Sequence, residues 1–170
     1  MTDQWAVVQR LLGRWEGTAS GKPGIGSQVR RYEAVLRGTF IMGTDKTRWQ
    51  PSEGQPEGET HEDICLLSHD RAAGQAVMRS FFVEGFACEY RCVEAAADGT
   101  RLVFQADLVE NGPPGMKARE TFVFSGPDEL ESTFELAPAG GDFAPYTTER
   151  LTRVGDSPAI PDGVRPGRSR

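Results

Sequence analysis

The chain alternates apolar and polar residues at every second position in a series of short segments that begins after Gly13. This period of two is typical of β-strands, which place successive side chains on opposite faces. Ten such segments follow one another, most of them joined by short connections. The pattern predicts an all-β, antiparallel, up-and-down barrel, because closing a meander into a barrel removes its exposed edges.

Turn-forming residues mark the ends of the predicted strands. Asp98-Gly99 is the strongest hairpin signal, and Arg37-Gly38 and Glu84-Gly85 also favour tight turns. The polar stretches at 51–59 and 111–115 are rich in Pro and Gly and predict loops. The predicted strands cover residues 14–19, 28–36, 39–49, 61–70, 75–83, 86–95, 101–110, 117–125, 129–137 and 146–154.

A short helix is predicted before the first strand. Thr2 or Asp3 can cap it and Gly13 can end it, with apolar residues at helical spacing between them. Such a helix can close one end of the barrel. At the other end of the chain, residues 155–170 contain three Pro, three Gly and three Arg and predict a disordered tail. One domain is therefore expected over residues 1–154.

Composition narrows the possible partners and the compartment. The chain of 170 residues has a net charge of -6, which argues against a nucleic-acid partner. No apolar stretch approaches the roughly 20 residues of a membrane span. The start of the chain does not have the pattern of a signal peptide. Three Cys are expected to be free thiols, which favours a cytoplasmic location.

A few charged residues fail to fit a barrel with an apolar interior. In the segment at 117–125, Glu120 shares a face with apolar neighbours, so it needs a partner, a proton or a ligand. Arg79 lies in a segment that is apolar on both faces, and Arg150 lies in the ambiguous last segment. We expect Glu120 to pair with Arg79 or Arg150, either as an anchor for a ligand or as a structural salt bridge.

Several stretches resemble a known family. Gly13-Arg14-Trp15-Glu16-Gly17, after a short helix, resembles the G-x-W-x-G opening of calycin-type barrels. The stretches at 35–45 and 57–82 resemble DUF1579, an uncharacterised bacterial family of lipocalin-like proteins. RETFVFSGPDELESTFEL and TERLTRV are similar to its closing strands, so the likeness covers about residues 8–154.

The resemblance implies a ten-stranded barrel of the lipocalin or fatty-acid-binding-protein type. The related nitrobindin group binds haem through a His near the end of the chain, so haem binding with redox or reactive-nitrogen chemistry is an alternative function. This sequence has only His61 and His69 and departs from that pattern. No cofactor is therefore expected; haem is the one alternative, and it would require His61 or His69 to face the interior.

No common catalytic motif is present. The sequence contains neither G-x-S-x-G nor H-E-x-x-H, and its Gly-rich stretch at 21–26 leads into a strand rather than a helix. His61 and Asp63 share a strand face and would hold a metal only with a third ligand; a solvated strand end is the favoured interpretation. The chain is thus expected to be a binding protein rather than an enzyme.

We hypothesise that the barrel holds a small hydrophobic molecule in its interior. The alternatives are a haem protein and a solid-cored structural barrel that forms a homodimer. Strand alternation predicts the ligand-binding residues to be Trp15, Arg79, Tyr90, Phe104, Glu120, Phe122, Phe134 and Arg150.

Overall fold

The fold begins with a capped helical segment. The computed structural model describes residues 3–155, so the predicted tail lies outside the described residues. The Asp3 carboxylate accepts a hydrogen bond from the backbone N–H of Trp5 at 3.0 Å and caps α1 (Gln4–Val8). A 3₁₀ turn over Gln9–Leu11 continues this segment to the first strand. Neither helical segment is long and apolar enough to cross a membrane.

Eleven strands follow in the described part of the chain. Their alternating burial matches the period of two in the sequence. They are β1 (Gly13–Gly21), β2 (Gly24–Val35), β3 (Phe40–Trp49), β4 (Glu59–Asp70), β5 (Gln75–Phe82), β6 (Ala87–Ala95), β7 (Arg101–Ala106), β8 (Val109–Glu110), β9 (Lys117–Phe124), β10 (Glu129–Ala137) and β11 (Ala144–Arg153).

The strands close into an antiparallel barrel. Neighbours in sequence are paired from β1 to β7, β7 pairs with β9, and β1 pairs with β11 to complete the ring. The short β8 pairs with β6, beyond the part of β6 that pairs with β7. Strands β7 and β8 are thus two pieces of one predicted strand, and the barrel has ten members. The predicted fold class is confirmed.

The break between β7 and β8 changes which residues face inward. Alternation predicts Leu108 to share the inner face with Ala106, but this is wrong, because Leu108 is 62% exposed. The strand stops after Ala106, and Val109 is buried in its place. A shift of one position at the break exchanges the two faces.

The helical segment closes one end of the barrel, where the core is filled. Trp15 is fully buried there, and its indole N–H donates a hydrogen bond of 2.7 Å to the carbonyl oxygen of Leu11. The Arg153 guanidinium lies 4.1 Å from the centre of the Trp15 ring and donates hydrogen bonds to the carbonyl oxygens of Arg10 and Leu12. These contacts fix the helical segment to the last strand.

The glycines that flank Trp15 have distinct roles. Gly13 has a φ of +120°, a conformation that favours glycine, where the helical segment turns into β1. A Cβ atom at Gly17 would overlap the carbonyl oxygen of Arg150 on the neighbouring β11. The G-x-W-x-G stretch therefore combines a sharp turn, a buried plug and a close approach of two strands.

Candidate functional site

The end of the barrel opposite the helical segment is hollow. A cavity of about 570 Å³ opens between the β1–β2, β3–β4, β5–β6 and β8–β9 connections. Its floor is formed by charged side chains from four strands, namely Arg30, Asp45, Glu120 and Glu149. The interior is thus divided into a filled half and a hollow half, with a polar layer between them.

The polar layer is centred on Arg30, which projects inward from β2. Its Nε lies 2.5 Å from Asp45 Oδ2 on β3, and its terminal nitrogens lie 3.0 Å from Glu120 Oε1 on β9 and 2.9 Å from Glu149 Oε2 on β11. Each of the three guanidinium nitrogens therefore contacts a carboxyl group. All four side chains are at most 12% exposed.

Neutral polar side chains complete this network. Ser132 donates a hydrogen bond of 2.8 Å to Glu120 Oε1, and Thr147 donates one of 3.2 Å to Glu149 Oε1. Gln28 donates to Asp45 Oδ1 at 2.5 Å and accepts from Thr47. Buried charges are tolerated only when paired and hydrogen-bonded, and this layer supplies both kinds of partner.

The electrostatics of the layer reflect three carboxyl groups around one guanidinium. Burial raises the pKa of Asp45 to about 8, although Arg30 opposes this effect. Burial also raises the pKa of Glu149. Burial lowers the pKa of Arg30, but Glu149 and Asp45 outweigh it and hold that pKa well above its ordinary value. The floor therefore keeps a fixed cation and carries a proton near neutral pH.

A second group of ionisable side chains lies nearer the mouth. His61 Nδ1 lies 2.8 Å from Glu84 Oε1, and His61 Nε2 lies 3.6 Å from Asp63 Oδ2. The neighbouring carboxylate of Asp63 is the main cause that raises the pKa of His61 to about 9, and Glu84 contributes to the same effect. His61 and Asp63 lie near the start of β4 and line the cavity close to its mouth, with side chains that are 24% and 20% exposed. Within residues 3–155, no group of three or more His, Cys, Asp or Glu side chains is arranged to hold a metal ion.

An aromatic wall crosses the cavity from β4 and β5 to β10 and β11. The rings of Phe82 and Phe134 are 6.2 Å apart, and Tyr146 packs edge-on against Phe134 at the same distance. His61 extends the row, with its ring 6.2 Å from Phe82. These side chains come from four strands and give the cavity an apolar surface above its charged floor.

Two of the predicted site residues line this cavity, and four lie in the filled half or at its boundary. Glu120 and Phe134 line the cavity. The other four are fully buried aromatic residues that pack in the core instead, namely Trp15, Tyr90, Phe104 and Phe122. Alternation identified their inward face correctly, but it carries no information about height within the barrel.

The expected pairing of Glu120 with Arg79 or Arg150 is wrong. Both arginines lie on the outer face of the barrel, where Arg79 pairs with Glu89 at 2.8 Å and Arg150 with Glu131 at 3.1 Å. Arg79 is on the outer face because Met78 and Ser80 point inward on β5. On β11, Glu149 and Leu151 point inward and leave Arg150 outside.

Sequence reasoning missed the centre of the site. Arg30, Asp45 and Glu149 were not identified as candidates, although Arg30 shares a strand face with Gln28 and Tyr32, all three buried. A basic residue between two inward residues was the available signal. The partners of Arg30 could not be predicted from the sequence, because Glu120 and Glu149 are distant in sequence and meet Arg30 only when the barrel closes.

The hydroxyl group of Tyr90 is the one uncharged polar group of the buried interior, within the described residues, that forms no hydrogen bond. Tyr90 lies on β6 two positions after Cys88, which lines the cavity, but Tyr90 itself is in the packed core. Burial, together with the nearby Cys88 and Glu120, raises the pKa of Tyr90 well above its ordinary value. A buried hydroxyl without a partner costs about 1–3 kcal/mol.

The residues present do not fit a haem. His61 faces the cavity, but both of its ring nitrogens lie beside carboxyl groups. His69 stacks on Trp5 at 6.3 Å, at the end of the barrel closed by the helical segment. Neither His presents a free ring nitrogen to the cavity, and the acidic floor is unfavourable for the carboxylates of a haem.

The comparisons with known proteins show the fold. No family model and no curated protein matches the chain. The solved structure of Rv2717c from M. tuberculosis is similar, with a TM-score of 0.67, 18% identity and coverage of 91% of this chain and 99% of that chain. The S-type phycobiliprotein lyase CPES from Guillardia theta has a TM-score of 0.56, 11% identity and coverage of 92% and 94%. The chain has a lipocalin-like barrel fold.

Proposed function

We propose that this protein binds a small molecule with an apolar body in the open half of its barrel. The observation that carries this proposal is the cavity of about 570 Å³ beside the aromatic wall. Small-molecule sites typically measure about 300–1,000 Å³ and combine an apolar lining with a few polar groups. The cavity has this size and this composition.

The hollow half argues against a solid structural barrel. A barrel that served only as a scaffold would fill both of its ends with side chains. This barrel fills only one end, the one around Trp15 and Phe104. At the other end, Phe82 and Phe134 are only partly buried and face open space. The surroundings of His61 favour a ligand other than haem.

A neutral fluorescent dye tests the proposal. N-phenyl-1-naphthylamine brightens when it leaves water, and we expect saturable binding with one site per chain. In the variant Phe134→Ala, which removes the centre of the aromatic wall, we expect affinity to fall about fivefold or more, since aromatic contacts contribute about 0.5–1.5 kcal/mol beyond their area.

The matched control for that variant is Phe81→Ala. Phe81 lies on β5 with its side chain on the outer face, where it is 47% exposed. Dye affinity should be unchanged in Phe81→Ala if the dye enters the barrel. Loss of binding in this control, with Phe134→Ala unaffected, would place the dye on the outer surface and contradict the proposal.

Haem addition tests the alternative. We expect an absorbance scan to show no shift of the Soret band that depends on His61 or His69, because neither ring is free to ligate iron in the cavity. A shift that disappears in His61→Ala would instead favour a haem protein.

A further inference from the structure

We propose that the ligand of this cavity carries a positively charged nitrogen, such as a primary amine, attached to its apolar body. This inference rests on the proposed function, since it concerns the ligand of the same cavity. It follows from three observations: the charge of the lining, the engagement of its central cation, and the polar atoms that the protein leaves without partners.

The lining has more acidic than basic groups. Six carboxyl groups line the cavity, and three basic side chains, Lys22, Arg30 and His61, accompany them. Two of these basic groups are already paired with carboxyl groups. Arg30 pairs with Glu120 of the floor, and His61 pairs with Asp63 and Glu84. This excess of acidic groups favours a positively charged ligand over a negatively charged one.

Arg30 is not available as an anchor for an anionic ligand. Each of its guanidinium nitrogens contacts a carboxyl group, and the shortest of these contacts joins Arg30 Nε and Asp45 Oδ2 at 2.5 Å. A ligand carboxylate would have to displace Asp45, Glu120 or Glu149 and leave that group buried without a partner. Such an uncompensated buried charge is strongly unfavourable.

The polar atoms left free around the floor accept hydrogen bonds. Among the described residues, hydrogen bonds reach Glu120 only at Oε1, so its Oε2 is available. Within residues 3–155, Asp63 has one side-chain partner, His61, whose Nε2 lies 3.6 Å from Asp63 Oδ2. Carboxylates accept hydrogen bonds and an ammonium group donates three, so these atoms suit a ligand amine.

Three naphthalene compounds of similar shape separate this inference from the proposed function. They are 2-(1-naphthyl)ethylamine, 2-(1-naphthyl)ethanol and 1-naphthylacetate, which are positively charged, neutral and negatively charged at neutral pH. Each compound is titrated as a competitor of bound N-phenyl-1-naphthylamine at low ionic strength, where charge effects are least screened. We expect the amine to compete about fivefold or more better than the alcohol, and the acid to compete worst.

The size of that effect follows from simple electrostatics. Two unit charges 4 Å apart interact by about 1 kcal/mol even in bulk water, which corresponds to about fivefold in affinity. Dye binding with no preference for the amine over the alcohol would overturn the cationic ligand and leave the proposed function intact. Failure of the dye and of all three compounds to bind would instead overturn the proposed function.

The variant Asp63→Asn tests whether a carboxylate of the cavity causes the preference for the amine over the alcohol. Its matched control is Glu62→Gln, which removes a carboxylate from the adjacent position on β4, where Glu62 faces outward and pairs with Lys46. We expect Asp63→Asn to reduce the preference for the amine over the alcohol about fivefold, and Glu62→Gln to preserve it. Equal loss of preference in both variants would show that overall charge selects the amine and would contradict the inference.

Discussion

At the scale of single residues, Arg30 is the side chain on which the interior depends. It contacts Asp45, Glu120 and Glu149, which come from three other strands. Without the guanidinium these carboxyl groups would face one another at close range in a buried layer. Arg30 therefore contributes both to stability and to the shape of the cavity floor.

Removal of this cation should be costly. We expect Arg30→Gln to lower the free energy of unfolding by about 3–5 kcal/mol, because it leaves buried charges without a partner. Arg150→Gln, which breaks an exposed pair with Glu131, should cost about 1 kcal/mol or less. Urea denaturation of both variants checks this, and equal losses would contradict the central role of Arg30.

Asp45 and His61 make stability depend on pH. The pKa of Asp45 is about 8 in the folded protein, above its ordinary value of 3.8, so the folded state binds an extra proton between these values. The pKa of His61 is raised from 6.5 to about 9, and its contribution is complete below 6.5 and lost as the pH rises to 9. Because both groups have raised pKa values in the folded state, we expect the free energy of unfolding to fall as pH rises from about 5 to 9.

The variant Asp45→Asn separates the two contributions. An amide keeps the shape of the side chain and one of the two oxygens that face Arg30 and Gln28, but it does not titrate. We expect a flatter stability profile than that of the parent, and a free energy of unfolding at pH 9 that exceeds the parent's by about 1 kcal/mol or more. Thermal unfolding at a series of pH values measures this, and an unchanged slope would refute it.

At the scale of elements, the close approach of β1 and β11 explains a constraint in the sequence. Gly17 faces the backbone of Arg150, and a methyl group there has no space unless the two strands separate. We expect Gly17→Ala to destabilise the fold by about 3 kcal/mol or more, within the range of severe backbone and packing substitutions. Chemical denaturation of the purified variant measures the loss.

Gly54→Ala is the matched control for that substitution. Gly54 lies in the β3–β4 loop, and a Cβ atom there would meet nothing within 4 Å. We expect its effect on stability to remain within about 0.5 kcal/mol. If both alanine variants were equally stable, the contact between the two strands would not be the reason for Gly17.

The elements also show how far sequence reasoning extends. The helix cap at Asp3 and the ten barrel members were predictable, because capping and a period of two are local properties. The break at Leu108 was not, since it shifts the inner face within an otherwise regular pattern. The partners of Glu120 were not predictable either, because Arg30 is 90 positions away and meets it through barrel closure.

At the scale of the whole molecule, the order of strands around the barrel follows their order along the chain. The ring is completed where Trp15 of β1 lies opposite Arg153 of β11. The backbone N–H of Val154 then donates a hydrogen bond of 2.8 Å to the carbonyl oxygen of Arg14. The first and last strands are therefore paired over seven register positions, like strands that a tight turn connects.

This arrangement predicts that the chain ends can be moved. We expect a circular permutant, with Arg170 joined to Met1 by a Gly/Ser linker and new ends between Ala72 and Ala73, to unfold cooperatively and to bind the dye. The cut falls in an exposed turn at the end closed by the helical segment, away from the mouth. A permutant cut within β9, between Glu120 and Thr121, should fail to fold; circular dichroism and dye titration distinguish these outcomes.

The division of the barrel into two halves has an evolutionary consequence. The half around Trp15 supplies most of the packed core, while the hollow half has connections at its mouth that are largely exposed. Substitutions around the mouth therefore alter what fits inside while the packing that maintains the fold is preserved. Descendants of one such barrel can diverge in what they hold and keep the same framework, with little sequence identity left to record it.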